Sequence, residues 1–208
     1  MEESKAPVKK RIRRTKKDIE QRLFDAALNV IEKVGFSNLT IKALTKEAKV
    51  EPPVFYNRYK DLSDFLDVFV RKYDYWLNDS IKFNFKEEPL TNISTVIENL
   101  ADSLLDNVCM QRLLAWELSE DNHITRRTSQ SRDMNSLRLT EFFNETFKNC
   151  DINFNHAASI ITGGIYYLIL HRDRSSVNFI DYSKPENLDA MKETAKKILV
   201  KIFDDYDK

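Results

Sequence analysis

Apolar residues recur at the spacing of an α-helix along almost the whole chain, and few residues interrupt that pattern. The 208 residues include only 3 Gly and 5 Pro, so the sequence offers little of the turn chemistry that joins the strands of a sheet. Apolar side chains at positions i, i+3, i+4 and i+7 share one face of a helix and predict that this face is buried. The pattern therefore predicts an all-α fold of about nine helices joined by short connections.

Residues 35–66 have the pattern of a helix-turn-helix that follows one supporting helix. The first helix ends at Gly35, and Thr40 is placed to cap the second helix. Pro53 suits the start of the third helix, since proline at the first helical position has no N–H that needs a partner. Asp61 then predicts the start of a long fourth helix. Two short helices joined by a tight turn are the arrangement that presents a probing helix to the major groove of DNA.

The third helix is rich in side chains that bond phosphate, while its probing end offers only apolar contact, for example to thymine methyl groups. Asn57 is suited to read adenine with two hydrogen bonds, or to contact another phosphate. Lys42 on the second helix either touches the flanking DNA backbone or belongs to a solvated face. The predicted DNA contacts of these helices are Thr40, Lys42, Pro52, Pro53, Val54, Tyr56, Asn57, Arg58 and Lys60.

Charge is segregated along the chain although the formal net charge is zero. Residues 1–60 hold 15 Lys and Arg against 8 Asp and Glu, whereas residues 61–208 hold 18 against 25. A basic head on an acidic body is the footprint of a protein that touches a polyanion with one end. The basic run before the first helix predicts an arm along the DNA, the other reading being a solubilising tail. Its candidate contacts are Arg13, Arg14, Lys16 and Lys17.

The sequence around the helix-turn-helix resembles the N-terminal DNA-binding domain of TetR-family transcriptional regulators. The resemblance covers roughly residues 18–66 and is carried by Gly35-Phe36, Thr40-Ile41, Leu44, Ala48, Val50, Phe55-Tyr56 and Tyr59. It implies a homodimer in which each subunit docks its third helix in a major groove and dimerises through its last two helices. The implied domains are a basic arm over 1–17, the helix-turn-helix domain over 18–62, and a helical ligand-binding and dimerisation domain over 63–208.

Five positions depart from the family pattern. The family commonly has Ala at the position of Thr45, Gly at that of Lys49 and a Ser or Thr cap at that of Glu51. It often has Gly at the position of Pro53, and Lys is common at that of Leu62. Lys49 implies either that this turn residue is not left-handed or that strain is tolerated. Glu51 is expected to cap the third helix, with a bond from a cytosine amino group as the alternative. Lys60 is placed to take over the phosphate contact that the family's lysine makes.

The C-terminal domain is rich in aromatic residues, as the mostly apolar lining of a ligand pocket would be. The predicted pocket residues are Trp76, Trp116, Phe143 and Tyr167, the other reading being that any one of these aromatic residues is simply part of the core. Gly163 and Gly164 lie inside the most apolar helix, where each Gly costs about 1 kcal/mol relative to Ala. Close approach of another helix would compensate for that cost, and the resemblance places the dimer interface there. The predicted interface residues are Gly163, Gly164, Ile198 and Ile202.

Several kinds of site are excluded by the residues that are present. The 3 His are far apart in sequence, and Cys109 and Cys150 fit no metal or redox spacing, so we expect no metal and no cofactor. A nucleophile with its base and a phosphate-binding Gly loop are also missing, so an enzyme is not expected. No apolar run approaches the roughly 18 residues of a membrane span, and a cytoplasmic protein is expected.

The resemblance therefore implies a transcriptional repressor that a small apolar or amphipathic ligand releases from a palindromic operator. The alternative is a helical DNA-binding regulator without such a ligand, controlled by a protein partner or acting architecturally. A cavity on the order of a few hundred Å³ in the C-terminal domain would favour the first. A helical interaction protein that never meets DNA is disfavoured by the segregated charge.

Overall fold

A computed structural model describes residues 15–81 and 83–204, and this part of the chain folds into α-helices. The described helices are α1 (Lys16–Val34), α2 (Ile41–Ala48), α3 (Pro52–Tyr56), α4 (Leu62–Val70), α5 (Trp76–Ser80), α6 (Pro89–Leu105), α7 (Val108–Ser119), α8 (His123–Thr146), α9 (Phe154–His171) and α10 (Pro185–Phe203). The only β-pairing in the described ranges is an isolated bridge between Val177 and Ile180. The prediction of an all-α fold is confirmed.

The long fourth helix expected from the sequence is interrupted. A 3₁₀ turn over Arg71–Tyr73 separates α4 from α5, so the predicted nine helices correspond to ten α-helices in the described part of the chain. Asp74 lies at this break and is buried. Its carboxylate accepts hydrogen bonds from α8, and its main-chain oxygen accepts from Asn135 Nδ2 at 2.7 Å. These bonds hold the interrupted segment against α8.

The first helix and the fourth begin at side-chain caps. Thr15 caps α1 in a reciprocal pair with Asp18, a signal that the sequence analysis did not use. Asp61 caps α4 by accepting from the Asp64 main-chain N–H at 2.9 Å, as expected. The Asp64 carboxylate in turn accepts a hydrogen bond from the main-chain N–H of Lys60, the residue before the cap, at 3.0 Å. Both helix starts are therefore determined by short-range hydrogen bonds.

Helices α1 to α4 close around a core of aromatic and aliphatic side chains. Phe65 is fully buried, and its ring lies 5.8 Å from the rings of both Phe24 and Phe55. Phe69 continues the cluster, stacked on Phe65 at 5.9 Å. Because α4 carries both of these rings, it belongs to the core of the N-terminal head as well as to the body.

The body is formed by α5 to α10, with α10 packed against α6 and α9. The sequence of α9 is apolar on nearly every side, which would require cover on every side. In the single chain that cover is incomplete, since Ile160 is 74% exposed and Tyr167 is 54% exposed. A face of α9 therefore remains open to a neighbour outside the chain.

Candidate nucleic-acid interface and cleft

The start of α2 has the geometry expected of it. Thr40 Oγ1 accepts from the Ala43 main-chain N–H at 3.1 Å, which confirms the predicted cap. Thr40 and Lys42 are both exposed in or beside the first turn of α2. Their side chains are accessible to a DNA backbone that crosses this end of the helix.

The turn between α2 and α3 is left-handed at Lys49, with φ 53° and ψ 48°. A side chain in this region costs roughly 1–2 kcal/mol, so of the two alternatives at Lys49 the strained one is present. The turn is closed by a bond from the Val50 N–H to the Thr45 main-chain oxygen at 3.0 Å. Thr45 is buried, and its hydroxyl donates to the Ile41 main-chain oxygen at 2.8 Å, so this departure from the family's Ala leaves the hydroxyl with a partner.

The start of α3 lacks the side-chain cap that was expected from Glu51. Glu51 occupies the N-cap position, but its side chain makes no capping hydrogen bond. Capping oxygens accept from the second or third N–H of a helix, and Pro53 at the second position has none. The third, on Val54, donates to the main-chain oxygen of Glu51 at 2.9 Å. The prediction of a Glu51 cap is therefore wrong, because Pro53 has no N–H to donate and the N–H of Val54 already bonds the Glu51 main-chain oxygen.

The predicted phosphate contacts cluster at the end of α3 and just beyond it. Tyr56 is 56% exposed, and Asn57 and Lys60 are also exposed. Arg58 is half-buried and donates from Nη1 to the main-chain oxygen of Val54 at 2.9 Å. That bond engages one of the five N–H donors of the guanidinium and fixes the side chain along α3. Pro52 and Pro53, at the other end of the helix, are exposed.

Two buried aromatic rings hold α3 in place. Phe55 is fully buried, and Tyr59 is 6% exposed with its ring edge-on to Phe65 at 5.0 Å. Burial raises the pKa of the Tyr59 hydroxyl to about 12, so this hydroxyl is protonated at neutral pH. Tyr59 is therefore a residue of the core that holds α3.

The basic arm reaches the described structure only at its end. Lys16 and Lys17 are exposed in the first turn of α1, beside the positive end of the helix dipole. Arg13 and Arg14 lie outside the described residues. Their contribution to the interface remains a sequence prediction.

The head is attached to the body through α7. Phe36, between α1 and α2, stacks on Trp116 of α7 with ring centroids 4.9 Å apart and planes within 6°. The hydroxyl of Ser37 donates to Glu120 Oε1 at 2.5 Å, just after the end of α7. Arg112 of α7 also donates to a main-chain oxygen near the end of α1. The orientation of the head therefore depends on where the C-terminal half of α7 lies.

A second attachment joins α4 to α8 through Arg127. Its Nε donates to Asp67 at 3.0 Å and its Nη1 to Asp74 at 2.7 Å, while the Thr128 hydroxyl donates to Asp74 at 3.0 Å. Burial opposes the ionisation of Asp67, but the bonds from Arg71 and Arg127 outweigh it and hold its pKa below the usual value. The guanidinium of Arg127 is thus held between two carboxylates on either side of the break in the fourth helix.

A cleft of about 540 Å³ opens between α7, α8 and α9. Its polar wall contains Arg132, which donates to Glu117 from Nη1 at 2.9 Å and also from Nη2. Burial raises the pKa of Glu117 despite these bonds, and it raises the pKa of Tyr166 to about 12. The cleft is lined by Leu114, Glu117, Leu118, Ser119, Glu120, Asp121, Thr125, Arg126, Ser129, Arg132, Tyr166 and Leu170.

The four residues that the sequence analysis selected as pocket lining do not line this cleft. Trp116 is buried against Phe36, and Phe143 is 1% exposed inside an aromatic cluster. Trp76 is buried, whereas Tyr167 is exposed and stacks on His171 at 5.2 Å. The sequence analysis missed Arg132 and Tyr166. Arg132 follows the buried residues Ile124, Thr125 and Thr128 at helical spacing. A charged residue on the buried face of a helix was the sequence signal that could have identified it as a site residue.

The residues selected as dimer interface lie on the open face of the body. Gly163 and Gly164 are exposed, and no atom of another part of the chain lies within 4 Å of a Cβ placed on either. Ile198 is 42% exposed, and Ile202 is half-buried. The close neighbour that would compensate for the two glycines is therefore absent from within the described chain.

The described residues contain neither a membrane-spanning helix nor a group of side chains suited to a metal ion. No described helix is long and apolar enough to span a membrane. Within the same residues, no three His, Cys, Asp or Glu side chains are grouped so as to hold a metal ion. Cys109 is buried, and burial raises the pKa of its thiol to about 12.

Residues 23–66 match the family model described as bacterial regulatory proteins, tetR family. The matched segment runs from the middle of α1 into α4 and so contains the whole helix-turn-helix. No curated protein matches the chain in sequence.

Solved structures of regulators share the fold over most of the chain. A TetR-family transcriptional regulator from Haemophilus influenzae is 18% identical in sequence, with a TM-score of 0.62. The structural alignment covers 89% of this chain and 98% of that one. The fatty acid degradation regulator FadR from Bacillus halodurans is 15% identical, with a TM-score of 0.65 and cover of 88% and 97%. A transcriptional regulator from Aquifex aeolicus is 16% identical, with a TM-score of 0.62 and cover of 89% and 99%.

Arg58→Ala is expected to weaken binding to all DNA sequences similarly, because a phosphate contact carries no base information. Each phosphate contact that is lost flattens the slope of log K against log salt by about 0.9. Titrations of duplex DNA at several salt concentrations measure this slope. Arg58→Lys, which keeps the charge, should retain the slope, and Lys148→Ala on the exposed body should leave it unchanged. An unaltered slope in Arg58→Ala would exclude a phosphate role for this residue.

Proposed function

We propose that this chain is a member of the TetR family of bacterial regulatory proteins and acts as a homodimeric repressor that a small amphipathic ligand releases from its operator. Members of this family are non-enzymatic DNA-binding regulators that act as dimers on operators. The observation that carries the ligand-responsive part is the double role of α7. The same end of this helix walls the cleft and holds the head.

In the proposed complex each subunit places α3 in a major groove. The prolines at the start of α3 and Val54 provide apolar contact, while Tyr56, Arg58 and Lys60 bond phosphates on either side. Two heads that bind successive grooves on one face of the DNA must be roughly 34–36 Å apart. The operator is therefore proposed to have two-fold character, with half-sites one helical turn apart.

The chemistry of the cleft supports a ligand with one polar and one apolar end. Arg132 uses two of its five N–H donors on Glu117, which leaves donors for an acceptor group of the ligand. Leu114, Leu118 and Leu170 provide the apolar side of the cleft. An acidic ligand could replace Glu117 as the partner of Arg132. The displaced Glu117 carboxylate would then take up a proton and become neutral, as its raised pKa already favours.

Release is proposed to follow from the position of α7. A ligand bound against Glu117 and Leu118 favours a shifted position of the C-terminal end of α7. The head follows this shift through two contacts, Trp116 with Phe36 and Glu120 with Ser37. The change in the separation of the two heads lowers operator affinity. The size of the effect is limited by the difference between the ligand's affinities for the two arrangements.

The alternative function, a DNA-binding regulator without a small-molecule ligand, predicts a filled body. A cleft of about 540 Å³ falls within the range of roughly 300–1,000 Å³ that ligand sites occupy. The cleft therefore favours the ligand-responsive repressor. Since its binding partner is operator DNA, we place the protein in the cytoplasm.

The DNA part of the proposal is tested by selecting binding sites from a random pool of duplex DNA. We expect enrichment of a two-fold symmetric sequence whose half-sites lie about 10–10.5 base pairs apart, centre to centre, or a multiple of that. The measurement tests DNA binding and dimer spacing together. A pool without enrichment, in a preparation that is folded and dimeric, would refute sequence-specific operator binding.

Ser129→Trp is expected to fill the cleft without disturbing the head, because Ser129 lies at the exposed edge of the cleft on α8. The fluorescent amphipathic anion 1-anilinonaphthalene-8-sulfonate should bind the native protein and bind this variant at least about tenfold more weakly. Ser129→Ala is the matched control and should bind the probe as the native protein does. Equal probe binding by native and Ser129→Trp protein would place the probe elsewhere and contradict the assigned cleft.

Gly164→Leu is expected to weaken or abolish the dimer while leaving the single chain at least as stable. Within one chain the position is open, and replacing Gly in a helix interior gains up to about 1 kcal/mol of helix propensity. In the dimer the leucine would occupy space that the partner helix needs. Sedimentation measures the association, and circular dichroism confirms the fold. An intact dimer at low micromolar concentration would show that Gly164 lies outside the interface.

A further inference from the structure

The connection between α9 and α10 contains a tight hairpin that no part of the proposed function uses. Val177 and Ile180 exchange main-chain bonds, with N to O distances of 2.9 Å and 3.0 Å. The two residues between them are both left-handed, Asn178 with φ 50° and Phe179 with φ 66°. Positive φ at both central positions is the signature of a type I′ turn.

Phe179 is an unusual residue for its place in this turn. Asn tolerates the first central position, but the second normally carries Gly, because a bulky side chain is strained at positive φ. The Phe179 side chain is also fully exposed, at 102% of its reference area, and Ile180 beside it is 42% exposed. The single chain thus bears both a strained backbone and an exposed aromatic ring, with no compensating contact inside it. A strained residue with an exposed ring points to a partner.

The hairpin is held firmly where it joins α10. Asp181 Oδ1 accepts from the Ser183 main-chain N–H at 3.0 Å and from its hydroxyl at 2.7 Å. The main-chain oxygen of Asp181 accepts from Asn187 Nδ2 of α10 at 2.8 Å. Tyr182 is half-buried and packs against the core. The ring of Phe179 is therefore presented on a fixed base and loses little conformational freedom when it binds.

The hairpin follows closely in the chain after α9, the helix that bears the open face. Ile160, Gly163, Gly164 and Tyr167 form that face, at spacings of three and four residues, and all are exposed. The two glycines lie at the middle of the 18 residues of α9. A two-fold axis at the glycines would place Tyr167 of one subunit opposite Ile160 of its partner. The hairpin that follows α9 would then meet the chain that precedes α9 in the partner, where Ile152 is 48% exposed.

We propose that Phe179 anchors the dimer, with the α9–α10 hairpin of each subunit seating its ring on the chain before α9 of the other, beside Ile152 of the partner subunit. The occupant of this surface is a second copy of the same chain. The inference rests on the dimer of the proposed function and extends its interface beyond the helix faces. Burial of the ring on association supplies the favourable contact that the isolated chain lacks.

The experiment compares dimer dissociation constants, measured by sedimentation over a dilution series, for native protein, three single variants and the double variant Ile152→Ser/Phe179→Gly. Phe179→Gly removes the ring and relaxes the turn, and we expect the dimer to weaken at least about tenfold. Asn178→Gly is the matched control, since it relaxes the same turn but keeps the ring, and its dissociation constant should stay within about twofold of native. Circular dichroism should show native helix content in both, because the two positions are exposed.

Ile152→Ser tests the placement on the partner. It should weaken the dimer by itself, and its effect should be less than additive with that of Phe179→Gly, since the two side chains share one contact. If Phe179→Gly dimerises as well as Asn178→Gly does, the proposal is overturned. Full additivity would overturn the pairing with Ile152. A native protein that is monomeric at every concentration would instead overturn the dimer itself, so the two failures are distinguishable.

Discussion

The stacking of Phe36 on Trp116 is the contact on which the arrangement of the two domains depends. The ring centroids are 4.9 Å apart and both side chains are buried, so the connection between α1 and α2 is fixed to α7. Such a pair contributes about 0.5–1.5 kcal/mol beyond the area it buries. More important is its position, because Phe36 also lies 6.3 Å from Phe69 in the core shared with α4. Any shift of α7 must therefore be followed by the head or be resisted by that core.

Polar contacts complete this attachment and give it direction. Arg127 joins α4 to α8 through two carboxylates, and Glu120 receives the hydroxyl of Ser37 beside the end of α7. Partly buried charges are costly unless paired, so the α4–α8 contact has few alternative arrangements. Helices α7 and α8 are also two of the three walls of the cleft. A molecule in the cleft would therefore contact the same two helices that orient the head, as the proposed ligand response requires.

Local chemistry was predictable wherever it depends on residues a few positions apart. The Thr40 cap, the Asp61 cap and the course of α1, α2 and α6 follow from spacing and from short side chains that bond nearby N–H groups. The Glu51 cap is absent for an equally local reason, since Pro53 has no N–H and that of Val54 bonds the Glu51 main-chain oxygen. The break after α4 was not predictable in this way. It coincides with hydrogen bonds that Asp74 accepts from Arg127, Thr128 and Asn135, all more than 50 residues away.

The sequence by itself determined the helices, the basic head and the helix-turn-helix, because periodicity, charge and capping are written in neighbouring residues. Tertiary structure alone decided which polar groups face the cleft and which apolar ones remain exposed. Arg132 and Tyr166 both line the cleft because α7, α8 and α9 pack around it, whereas Phe143 is buried in the core against Phe154. Tyr167 and Phe179 remain exposed because none of the described helices covers them. Burial depends on every neighbouring element, and no local pattern contains that information.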